Sequence, residues 1–338
     1  MQKSRIDYFD IAKGIAIISV IIGHLGIHSV NRVVFTYHLP VFLFISGYFV
    51  NRKLPLKEYS VKRIKSLMIP YAVTCGIIIV FGGIRGILKG NGLQEGAKWL
   101  FASLYGAGYT IKTPFYVRHI GAIWYLPASC VGIILLRLSL QMKERVRPFM
   151  ILFFFAAGYL SSRLLFWFPM SVQSGFCSTF FLYAGWLYRK HEAKIHDMDT
   201  ETKIGAGIIA AIAWIMFMIQ FEGFSLARNN YGRGIVDLAG AVAASILVIQ
   251  ISRCIEHKTN IIRKILLSAG RSSLLILCLH IIELDLFPWK EVIRRFVNIS
   301  DQGYKMMMFF LKPAILLPAA WLLLKIKAVR KLFGYENR

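Results

Sequence analysis

The sequence predicts an all-α fold, a polytopic transmembrane helical bundle of about ten spans with both termini in the cytoplasm, and three observations carry that prediction. Of 338 residues 57% are hydrophobic and only 17% charged, and the mean hydropathy is +0.57, an apolar content that no soluble domain needs. Apolar windows of about twenty residues, long enough to cross the hydrocarbon core, recur at 11–30, 33–50, 67–85, 121–140, 149–168, 172–188, 204–221, 234–252, 266–287 and 306–324. Lys and Arg crowd into alternate connections between them, as cytoplasmic loops require.

The first window holds the sharpest signal, Lys13 followed eleven residues later by His24. Eleven helical steps make three turns plus about 20°, so the two residues share one helix face about 16 Å apart along the axis. Taken singly, Lys13 reads as a snorkelling side chain and His24 as a packing histidine; together on one stripe inside an apolar helix they point to a functional site. The N-terminal Lys3 and Arg5 lead into this window with no cleavage signal, which reads as a retained first span.

The second window opens His38-Leu39-Pro40 and runs to Ser46-Gly47-Tyr48. His38 starts it near the depth of His24, while the small pair Ser46-Gly47 suits either close helix packing or a ligand contact near the inner mouth. The following connection carries Lys53, Lys57, Lys62, Arg63 and Lys65. Positive-inside topology accounts for the cluster, and phosphate binding at a cytoplasmic mouth is the sharper reading. The 86–120 and 288–305 connections fall outside, and 97–107 reads as a partial or re-entrant helix. The fourth window carries Trp124-Tyr125-Leu126-Pro127, either an interfacial aromatic belt or a stacking platform for a sugar. In the ninth, His280 and Glu283 at i and i+3 share a face and suit a base and its orienter.

Basic connections after the fourth, sixth and eighth windows, and the tail with Lys325, Lys327, Arg330 and Lys331, put both termini inside. The chain reads as one domain, 1–338, with no linker, no internal repeat and no extramembrane segment long enough for a separate catalytic module. The net charge of +24 lies between apolar segments with no basic-aromatic platform, which sets nucleic acid aside as a partner. The five cysteines show no paired framework, and no metal-ligand spacing is present, so no metal is expected.

At Lys13 and His24, at His38-Leu-Pro-Val-Phe-Leu-Phe-Ile-Ser-Gly-Tyr48, at Trp124-Tyr-Leu-Pro-Ala128 and at Gly270-Arg-Ser-Ser-Leu…His280, the chain resembles the acyltransferase 3 family of integral membrane acyltransferases. It is most similar to the branch of fucose 4-O-acetylase-like and other polysaccharide O-acetyltransferases, over about residues 6–325. The resemblance implies transfer of an acyl group from cytoplasmic acyl-CoA, with acetyl-CoA the expected donor, to a hydroxyl of an extracytoplasmic glycan or lipid-linked precursor, in a bacterial plasma membrane. It implies that Lys13 and His24 are functional and that the Ser46-Gly47 motif is characteristic; Lys13, with Arg63 or Lys65, is expected to neutralise the CoA phosphates at the inner mouth, with Ser46-Gly47 on the same donor side. His24 is the expected base, His38 its reserve, His280 and Glu283 the acceptor-side pair, and Trp124 and Tyr125 the sugar contacts. A transient acyl-His24 is the alternative chemical route. Two positions depart from the family pattern: Lys13 stands where many members have Arg, and Ser66 stands where a second basic residue often follows Arg63 by three. A non-enzymatic transporter or glycan flippase is the rival from another class.

Overall fold

The computed structural model describes residues 6–88 and 90–335; Lys3 and Arg5 lie outside the described residues. Fifteen α-helices are described: α1 Asp7–Gly23, α2 His28–Val34, α3 His38–Tyr48, α4 Leu56–Ile87, α5 Gly92–Tyr105, α6 Tyr125–Ser139, α7 Arg147–Leu164, α8 Val172–Asp197, α9 Thr200–Ile219, α10 Ile235–Glu256, α11 Ile261–Arg271, α12 Ser273–Leu286, α13 Trp289–Phe296, α14 Asp301–Leu323 and α15 Lys327–Leu332. Side-chain caps start three of them, with Asp199, Asn260 and Ser300 accepting the orphan N–H three residues on. Among the described residues strand pairing is confined to the isolated bridges Ile111–Val117 and Ser225–Asn230, so the fold is all-α, as expected.

Five helical stretches are long and apolar enough to cross a membrane: α4, the 3₁₀ turn Gly121–Trp124 with α6, α9, α10 and α14. The pair α11–α12, bent by 78° at Ser272, is long and apolar enough only when its two helices are counted together, as a broken span or a re-entrant loop. The outer face of α9 shows what such a helix presents to lipid: Ile204, Ile208, Ile209, Ile212 and Ile215 are all exposed. The protein is thus an integral membrane protein.

The helices depart from the apolar windows where the backbone turns. Window 11–30 is not one span: α1 stops at Gly23, Gly26 takes a left-handed φ of 65°, and α2 begins at His28. The second window yields the eleven-residue α3, starting at His38. The ninth is two helices, because the Ser272 hydroxyl donates to the Ser268 carbonyl and the chain changes direction there. Lys62, Arg63 and Lys65 do not sit in a loop; they occupy the first turns of the 32-residue α4. Of segment 97–107, residues 97–105 belong to α5, which packs back along α4, and Gly106 ends that helix in a left-handed conformation.

Glycines set the closest crossings. Gly14 of α1 lies against the Leu266 backbone of α11, and Gly270 of α11 against the Asp10 carbonyl of α1. Gly47 of α3 meets the Leu182 carbonyl of α8, and Gly185 of α8 meets the Phe44 carbonyl. Without Cβ atoms the backbones approach closely enough to lock two seams. At the far end of α6 the Arg137 guanidinium donates to Arg52 O at 3.2 Å and Leu54 O at 2.9 Å, which holds that end level with the chain entering α4. Trp124 is then about a helix length away, toward the opposite surface. On the orientation expected from the charge pattern, Lys62→Cys should resist impermeant thiol reagents in intact cells while Lys112→Cys is labelled. Labelling of position 62 with protection of position 112 would invert the orientation.

Candidate active site

The C-terminal end of α1, the start of α3 and the middle of α12 bring three histidines to one region. His24 caps α1, and its Nδ1 lies 2.7 Å from the Val20 carbonyl four residues back. His38 repeats the arrangement, with Nδ1 2.7 Å from Val34 O. A carbonyl only accepts, so each Nδ1 carries the proton and each Nε2 carries the lone pair. The ring of His280, fully buried, meets that of His24 edge-on with centroids 5.1 Å apart, and its Nε2 is 3.4 Å from His24 Nδ1.

Behind His280 stands a carboxylate with three donors. His280 Nδ1 and Lys312 Nζ both reach Glu283 Oε1, at 2.9 and 2.8 Å. The indole N–H of Trp289 donates to Glu283 Oε2. Lys312 comes from the middle of α14 and is only 4% exposed. The chain of contacts reads Lys312, Glu283, His280, His24, and it ends at His24 Nδ1.

Two cavities meet at that nitrogen's ring. One, of about 640 Å³, is lined by His24, Asp285, Trp289, Tyr304, Lys305 and Lys312, with Arg85 and Lys290 at its rim. The other, of about 450 Å³, is more apolar and runs past His24, His38, Phe35, Trp124 and Phe224 to His119. Both share His24, Leu284 and Asp285. Asp285 Oδ2 is buried and has no hydrogen-bond partner among the described residues. Burial, with the charge of Arg118 next in sequence, holds the His119 imidazole below its ordinary pKa; its Nδ1 is 2.8 Å from the Thr110 hydroxyl. Among the described residues no group of three His, Cys, Asp or Glu side chains is arranged to hold a metal ion.

Of the residues singled out from sequence, His24, His38 and Trp124 line these cavities, and His280 and Glu283 stand behind His24. The rest do neither. Lys13 bonds Asp10 at 2.6 Å within α1, and the same end of the helix is tied to α11 by Arg271 and Arg263 on Asp7, at 2.9 and 3.1 Å. On the stripe from Lys13 to His24, Ile17 and Val20 are 1% exposed, so that face is filled by packing. Arg63 donates to the Tyr59 hydroxyl at 3.2 Å on α4, and Lys65 is exposed; α4 packs on α5, α6 and α12, whereas α1 packs on α11, α10 and α3. Gly47 serves the α3–α8 crossing, with Ser46 beside it. Tyr125 is packed against Phe42 in the core, and Trp124 is 3% exposed under Gly108. The pair is therefore not an interfacial belt.

Sequence reasoning missed Lys312, Trp289 and His119. Lys312 had a signal: it is a cation inside the apolar window 306–324, the same feature that marked Lys13. Trp289 and His119 had none, since each lies in a polar connection.

A family model described as acyltransferase domain, that of the acyltransferase 3 family, matches residues 6–324. No curated protein matches the chain. The match takes in every residue of the Lys312–Glu283–His280–His24 chain and both cavities, and the protein belongs to the acyltransferase 3 family of membrane acyltransferases.

Proposed function

We propose that the protein O-acetylates a glycan or lipid-linked glycan precursor on the outer side of a bacterial plasma membrane, taking the acetyl group from cytoplasmic acetyl-CoA. The observation that carries this reading is His24, whose Nδ1–H is committed to Val20 O while Nε2 is left with its lone pair where two cavities join. A sugar hydroxyl is a weak nucleophile at neutral pH, and neutral imidazole is the side chain suited to take its proton. As the hydroxyl oxygen bonds to the thioester carbonyl carbon, Nε2 accepts the hydroxyl proton. The tetrahedral intermediate then collapses with cleavage of the C–S bond, and the imidazolium returns the proton to the leaving thiolate. The products are the O-acetyl ester and CoA.

The larger cavity, with carboxylates, ammonium groups and Trp289 in its wall, offers both donors and acceptors to a polyhydroxyl acceptor. Because the Lys13 stripe is packed, a donor would reach His24 by another route. A cleft of about 330 Å³ between α11 and α14, lined by Lys264, Ser268, Ser272, Leu317 and Trp321, lies at the α11–α12 bend and is the candidate for that route. Membership of an acyltransferase family favours this reading over a flippase. Purified protein in nanodiscs, given acetyl-labelled acetyl-CoA and the glycan fraction of its cell envelope, is expected to leave base-labile label on glycan. Label from a longer acyl-CoA but not from acetyl-CoA would make the donor wrong, and glycan crossing the membrane without label would favour the flippase.

A further inference from the structure

The deep burial of Lys312 calls for an account beyond neutralising a charge in a span. Glu283 receives His280 Nδ1–H and Lys312 on one oxygen and Trp289 on the other. Its side chain is 12% exposed, that of Lys312 5% and that of His280 fully buried. At such low exposure the charge of Lys312 acts strongly on Glu283 and on the histidine beside it.

We infer that Lys312 is a positioning residue for the proposed transfer: its ammonium offsets the charge of Glu283, so that Glu283 fixes the Nδ1–H tautomer of His280 without drawing a second proton onto it, and His280 in turn keeps the His24 lone pair on Nε2. This rests on the reading of His24 as base. With His280 neutral, its Nε2 lone pair accepts from His24 Nδ1–H, a proton shared with Val20 O. Without Lys312, an unopposed carboxylate favours the imidazolium form of His280. Two N–H groups would then face each other at His24, and relief requires His24 to move its proton to Nε2, where the base must be empty.

Other titratable groups surround the pair. His38 of α3, Cys75 and Arg85 of α4, Arg118 and His119 before α6, Cys278 and Asp285 of α12, and Tyr304 of α14 are near, and none is hydrogen-bonded to either ring in the described structure. Two of the three charges of α11, Arg263 and Arg271, are spent at the far end of α1 on Asp7, and the third, Lys264, lines the cleft at the α11–α12 bend.

The test follows the sign of this coupling. Removing a cation beside a carboxylate–imidazole pair raises the pair's hold on a proton, by roughly one to three pH units for a charge this close. The acid limb of the pH–rate profile for acetyl transfer should therefore move to higher pH in Lys312→Met, with at least about tenfold loss at pH 7 recovered near pH 9. Lys312→Arg should keep the limb in place, and the double variant Lys312→Met/Glu283→Gln should return it toward wild type. The pH dependence of diethyl pyrocarbonate modification at His24, read by mass spectrometry, reports the same midpoint without turnover. Equal midpoints in all variants, or a folded Lys312→Met with a loss that neither high pH nor the double variant relieves, would overturn the inference. If the midpoints move as stated while wild type transfers no acetyl group, the inference stands and the proposed reaction fails.

Discussion

Alanine at position 24 is expected to lower acetyl transfer by about 10²- to 10⁴-fold, the usual cost of removing a general base, and to leave a folded, membrane-inserted protein. The side chain is exposed to the cavities, so its removal deletes its bond to Val20 O at a helix end and its contact with the His280 ring. Single-turnover transfer measured beside thermal unfolding separates the two effects. His38→Ala is expected to cost much less, because His38 bonds only Val34 O and lines the second cavity alone. Near-normal transfer by His24→Ala, with loss in His38→Ala or His280→Ala, would move the base to one of those residues. A trapped acyl-imidazole on His24 in wild type would replace the general-base route with the covalent one.

The second large effect is on stability. Gly270→Leu is expected to destabilise the protein by about 3 kcal/mol or more, because the new side chain must enter a space held by the Asp10 carbonyl of α1. Backbone cannot rotate out of the way as a flexible side chain can. The displaced helix also carries the Asp7–Arg271 and Asp7–Arg263 bridges at one end and His24 at the other, so transfer should fall with stability. Gly205→Leu on α9 is the control: a Cβ there meets nothing within 4 Å, and its unfolding temperature in detergent should stay near wild type. Equal tolerance of both substitutions would mean that the α1–α11 crossing is not the tight seam described.

The same residues show why close approaches escape sequence reading. Gly14, Gly47, Gly185 and Gly270 look alike in a string of apolar residues, and Gly205 and Gly207 look no different. Which of them meets a facing carbonyl depends on which helices cross, a long-range property. The bend at Ser272 and the turn at Gly26 escape for a related reason: hydropathy averages over about twenty residues and is blind to a single turn.

What the sequence by itself determined is the class of solvent and the set of costly groups. Apolar composition and alternating basic connections required a helical membrane protein, since every backbone polar group in lipid must be satisfied within a helix. Ionisable residues inside apolar windows, Lys13, His24, His280 and Glu283, stood out because each is expensive there. Tertiary structure alone decided what those groups do for one another. It set Lys13 in an ion network with Asp10 at the end of α1, and it gave Glu283 a cation, Lys312, from 29 residues further on. It also turned His280 toward His24 across 256 residues of sequence. Partners and tautomers are fixed by contacts of a few ångströms between distant segments, and local sequence carries the price of burying a charge without saying which neighbour meets it.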